Sequence, residues 1–160
     1  MYTAATRESP LLVWITVLIA LVLTLLPLPE WLAALWPNLV LLTVLYWSTM
    51  APAAGGMLVG FVAGLAFDVL SGAQLGQHAL AFSLLTYGAI KLHLLTRAKP
   101  LFEQAIFVLL VLLAYEALLW AIDGVSDRGT GGWARWMHVP VGAILWPVVV
   151  GLLGRLHAPR

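Results

Sequence analysis

Five polar side chains stand out because apolar sequence surrounds them: Asn38, Asp68, His78, Glu116 and His138. Two carboxylates and two imidazoles could in principle hold a metal, pass a proton or bond one helix to another. No ligand spacing supports a metal site, since none of the four repeats at the interval a metal motif requires. Glu116, flanked by Leu113-Ala114-Tyr115 and Ala117-Leu118-Leu119, reads better as a bond to a neighbouring helix than as a proton carrier. His78 and His138 read as interfacial residues before ligands. Asp68 has two readings: a cap for the exposed amides of the turn that follows it, or an anchor for a partner helix or for the segment 124–138. There is no nucleophile elbow, no HExxH, no phosphate-cradling glycine loop and no pair of carboxylates at helical spacing, so no catalytic residue, metal or cofactor is expected. Binding is the expected output.

The elements that must position these groups are apolar runs. Of 160 residues, 62% are hydrophobic and only 9% charged, with a mean hydropathy of +1.00. A soluble domain carries about 25% charged residues, so the surface here must face lipid. A net charge of +1 excludes the basic face a nucleic acid needs, and the absence of cysteine removes disulfide and thiolate chemistry. Prolines and polar clusters divide the chain into about six membrane helices, over roughly 10–28, 36–50, 53–70, 78–95, 101–122 and 139–156, in a single polytopic domain at 1–160. The first run reads as a retained anchor, and five spans are the fallback count. The third helix carries Gly56, Gly60 and Gly64, with Asp68 four residues on. Residues four apart form one ridge, and a ridge without side chains lets another backbone approach closely in lipid. This helix is therefore expected to be the packing centre, with Gly72 and Gly76 continuing the series into the next turn.

Lys and Arg placement sets orientation. Arg7, Arg97, Lys99, Arg155 and Arg160 fall at the N-terminus, the fourth loop and the C-terminus, which puts both termini in the cytoplasm. Trp31, Trp36, Trp120, Trp133 and Trp136 would then mark the outer interface, Trp14 and Trp47 the inner one, with Trp146 mid-span. In that arrangement Asn38, Asp68, His78, Glu116 and His138 all face the outer leaflet and can line a cavity open to the periplasm.

Over about positions 36 to 92 the sequence resembles the rod shape-determining MreD family. The resemblance rests on Pro37, Tyr46-Trp47, Pro52, Gly60-Phe61, Gly64-Leu65, Asp68, Gly72, Gly76 and His78-Ala79-Leu80, in order and without gaps. It implies an all-α integral membrane bundle of about six helices, similar in fold to the S-components of energy-coupling-factor vitamin transporters. It also implies a non-enzymatic scaffold of the elongasome in the bacterial inner membrane. The implied partners are MreC, a single-span protein, and through it MreB, RodA and a class B penicillin-binding protein, besides membrane lipids. The glycine groove and the outer polar pocket are expected to receive the MreC span or its periplasmic neck. Two rivals remain. One is an S-component-like subunit binding a vitamin. The other is a flippase-like groove for an undecaprenyl-linked precursor, which needs basic residues in the cavity, where none is expected.

Overall fold

A computed structural model describes residues 9–129 and 131–157, so Arg7 and Arg160 lie outside the described residues. Within them the chain is helical, with no strand. Six helices carry the architecture: α1 (Pro10–Thr24), α2 (Leu39–Met50), α3 (Met57–Ser71), α4 (Gln77–Arg97), α5 (Leu101–Val125) and α6 (His138–His157). A single helical turn at Glu30–Ala33 follows α1, and a 3-10 turn at Trp133–Trp136 precedes α6. The expected first helix ends earlier, at Thr24 instead of about 28, because Pro27 and Pro29 withhold the amides a continuing helix would need. The second starts at Leu39, since Asn38 caps it by accepting from the Leu41 amide at 3.0 Å, a strong start signal.

α4, α5 and the segment Trp133–Leu156 are each long and apolar enough to cross a bilayer; α1, α2 and α3 are apolar but shorter. Large apolar side chains such as Leu18, Leu58, Leu94, Leu110 and Ile144 point outward, exposed. A water-soluble protein does not present so much apolar surface; this is a membrane protein with lipid as its outer solvent.

The packing centre is α2, not the glycine helix. Every residue from Val40 to Thr49 is buried, and α2 packs on α1, α3, α4 and α6. At 12 residues it is about 18 Å long, well short of a bilayer's hydrocarbon thickness of about 30 Å. Burial on all sides requires an element that is apolar all round, and LVLLTVLYWST is that. Two of its hydroxyls bond its own backbone: Ser48 Oγ donates to the Val44 carbonyl at 2.7 Å and Thr49 Oγ1 to that of Leu45 at 2.9 Å. Trp47, expected at the inner interface, is instead fully buried and donates through Nε1 to Thr16 Oγ1 on α1 at 2.9 Å. Trp146, expected mid-span, is also fully buried, with Nε1 donating to Gln104 Oε1 at 3.2 Å.

The glycine series divides into two uses. Gly60 and Gly64 lie directly against α4. A Cβ at Gly60 would sit 2.5 Å from Thr86 Oγ1, and one at Gly64 would sit 2.5 Å from the His78 carbonyl oxygen and 2.7 Å from Ala79 Cα. Both distances are inside atomic contact. Gly56 takes no part in this seam; it is the N-cap of α3, and a Cβ there would meet only the Pro52 oxygen, at 3.9 Å. Gly72 and Gly76 serve the turn, with φ of 68° and 93° and open space around each. Gly72 closes α3 in the left-handed conformation that only glycine adopts at low cost. The groove expected to receive a foreign span is thus already occupied by the protein's own fourth helix. The close approach of Gly55 to the Trp47 backbone was not singled out from the sequence.

Candidate functional site

Asp68 stands where α3 ends and α4 begins. Its carboxylate accepts from the Gly76 amide at 2.9 Å, the His78 amide at 3.0 Å and the Ala79 amide at 3.3 Å. His78 Nδ1 lies 2.7 Å from Oδ1. A helix N-terminus offers four unpaired amides and a positive dipole end, so a carboxylate there is stabilised even with 1% of the residue exposed. Of the two readings of Asp68, the geometry matches the cap on the following turn, inside one hairpin.

The second carboxylate is handled differently. Glu116, 4% exposed, has Oε2 at 2.8 Å from Arg135 Nε and Oε1 at 3.1 Å from His138 Nε2. Arg135 Nη1 also reaches Asp123 Oδ2 at 2.7 Å, and Asp123 Oδ1 accepts from Gln77 Nε2 at 3.0 Å. Glu116 and Asp123 are seven residues apart, about two helical turns, and so share one face of α5, which corrects the expectation that no two carboxylates stand at helical spacing. The 3-10 turn lowers Arg135 between them. The clasp ties α5 to α6, to α4 and to the connecting segment in one network. Nearby, Asn38 Nδ2 donates to the Tyr115 hydroxyl at 3.1 Å, joining α2 to α5.

These groups surround a cavity of about 540 Å³ at one end of the bundle. Five helices and the cap of the sixth contribute to its wall or rim: Thr24, Phe67, His78, Tyr115 and His138 come from α1, α3, α4, α5 and α6, and Asn38 is the N-cap of α2. Four of the five polar residues read from the sequence, Asn38, His78, Glu116 and His138, line it, and Asp68 stands behind His78. Trp36, Tyr115 and Arg135 also line it and were not expected there. Arg135 corrects the expectation that no basic residue enters the cavity. One signal pointed to it: an arginine between Trp133 and Trp136, in a segment assigned to the outer side, needs a local counter-charge. Among the described residues no three of His, Asp and Glu converge as a metal would require.

The family model described as rod shape-determining protein MreD matches residues 6–156. The rod shape-determining protein MreD of Haemophilus influenzae is 29% identical over 151 residues, covering 92% of this chain and 93% of the relative. No solved structure matches the chain significantly. Both matches run through α1 to α6 and include the Asp68 hairpin and the Arg135 clasp. This chain belongs to the MreD family of rod shape-determining membrane proteins.

Proposed function

We propose that this protein is a non-enzymatic scaffold of the bacterial elongasome, lying in the inner membrane with both termini cytoplasmic and holding MreC by its periplasmic neck. The orientation is supported by Arg97, Lys99 and Arg155 at the end of the bundle opposite the cavity. Arg128 and Arg135 lie at the cavity end, outnumbered by these three together with Arg7 and Arg160 of the sequence. With the glycine groove filled by α4, the cavity and its rim are the polar concave surface offered to a periplasmic neck. The carrying observation is that five helices and the cap of the sixth meet around this cavity. An occupant there touches all of them, so its arrival can be felt across the bundle. MreC, seated or released, would then set whether RodA and the class B penicillin-binding protein are active beneath the MreB filaments.

Photo-cross-linkers at the rim positions Ala34 and Ala134 test this, with Leu94 and Leu110 on the lipid face as controls. MreC captured at the rim supports the reading; efficient capture only at the controls overturns it. The S-component-like alternative draws on the same cavity, whose volume suits a small ligand. It requires a stoichiometric small molecule in native mass spectra of the detergent-solubilised protein.

A further inference from the structure

Charges on the cavity wall are already paired. Arg135 and His138 take the two oxygens of Glu116, Arg135 also takes Asp123, and Asp68 is enclosed by three amides and His78 Nδ1. What is left to an occupant is neutral. His78 is 8% exposed. Its Nδ1 carries the proton that the Asp68 carboxylate accepts, and in that neutral tautomer Nε2 presents a lone pair. That atom has no partner among the described residues, and the ring lines the cavity. Tyr115 lines it too. Its hydroxyl oxygen accepts from Asn38 Nδ2, which has no lone pair to return the favour, so the tyrosine proton remains to be donated. The His78 and Tyr115 rings lie 6.1 Å apart, centre to centre.

A donor and an acceptor side by side fit a group that is itself both. We propose that the cavity is a seat for an uncharged hydroxyl or carboxamide carried on an apolar stem. Tyr115 donates to the oxygen of that group, His78 Nε2 accepts from its O–H or N–H, and Leu26, Leu28, Trp36 and Leu119 hold the stem. A charged head would find every charged group here already hydrogen-bonded, and an anion would also face three carboxylates against one guanidinium, so its hydration would be lost uncompensated. The seat rests on the cavity being the binding site named above, and not on the identity of what fills it. The group could belong to a free small molecule or to a serine, threonine, asparagine or glutamine side chain of a partner.

The test uses the full chain in phosphatidylcholine–phosphatidylglycerol nanodiscs, with hexanamide, 1-hexanol, hexanoate and hexylammonium as matched probes followed by ligand-observed NMR. His78→Asn supplies the background, because asparagine Nδ2 can replace Nδ1 at Asp68 while nothing replaces Nε2; its thermal unfolding should match wild type. Hexanamide and hexanol should bind saturably and shift the ¹⁵N resonance of His78 Nε2 in ring-labelled protein. Tyr115→Phe should weaken hexanamide by about five- to tenfold, the effect of one hydrogen bond. Equal binding of hexanoate or hexylammonium, or unchanged hexanamide binding in both variants, overturns the seat. Two further arms identify the source. Displacement of hexanamide by added MreC marks a partner side chain, and a co-purifying mass lost in His78→Asn marks a free ligand. If MreC fails to bind at all while hexanamide still binds, the scaffold reading falls and the seat stands.

Discussion

The α3–α4 seam and the α5–α6 clasp both bury a carboxylate, yet they solve the problem in opposite ways. Asp68 finds its partners within 11 residues, three of them backbone amides that any sequence would offer at a helix start. Glu116 depends on two side chains, at positions 135 and 138, delivered by a separate segment. In the seam, helices approach until Gly64 is the only residue that fits; around the clasp they stand apart and leave about 540 Å³. Close backbone packing gives rigidity and no room for a ligand. A side-chain network across a gap gives room. The difference teaches that close packing belongs to the hairpin and space to the cavity end of α5 and α6.

Substitutions can break that contrast, beginning at the seam. Gly64→Leu should be the most damaging, because the atoms an added Cβ meets are the α4 backbone, which cannot move aside alone. Overpacking costs about 1–3 kcal/mol where side chains can yield and more where they cannot, so little folded protein is expected by fluorescence-detected size exclusion. A normal monodisperse yield would show that the seam is looser than its geometry. Asp68→Ala comes next. It strips several charge-assisted bonds, each of about 1.5–3 kcal/mol, and should lower the unfolding temperature in detergent more than Asp68→Asn, which keeps an acceptor for the amides. Equal losses for the two variants would mean that an uncharged acceptor adds nothing to the cap.

At the clasp, Arg135→Ala leaves Glu116 and Asp123 without their shared cation. The side chain of Arg135 is 17% exposed, so the loss should fall between surface and fully buried pairs, about 2 kcal/mol. Adding Glu116→Gln should recover part of that loss, by removing the stranded charge. Failure of the second change to restore any stability would argue that the clasp is not electrostatic. Lys99→Ala sets the floor. Its pair with Glu103, 2.9 Å long, is about half exposed on both sides, and such pairs contribute about 0–1 kcal/mol; a measurable drop in thermal stability there would contradict this ranking. Hydrogen exchange sharpens the same comparison, with amides 64–68 and 77–82 expected to outlast those of 126–137.

Local patterns made the glycine ridge and its turn legible in advance. Gly60, Gly64, Asp68, Gly72 and Gly76 fall within 17 consecutive positions, and period-four spacing followed by turn glycines carries its meaning in the chain itself. Helix existence was equally open to reading, because lipid demands long apolar runs and prolines end them. Two things were hidden. The central place of α2 was missed because a short, evenly apolar helix has no distinguished face. Burial all round is a property of its neighbours. Arg135 was missed because its partners lie 19 and 12 residues back along the chain, and no periodicity links a loop residue to a helix face.

Composition and spacing by themselves determined that this chain is a helical membrane protein with a glycine ridge on one helix and a glycine turn after it, since those outcomes follow from solvent and from bonds between near neighbours. Only the tertiary structure decided which helix is central, that α4 already fills the glycine groove, and that Arg135 closes the wall of a cavity bounded by five helices and the cap of the sixth. The physical reason is range. Turn, cap and ridge are settled by atoms a few residues apart, whereas a cavity is the space left when distant segments meet, and that space is encoded in no single one of them.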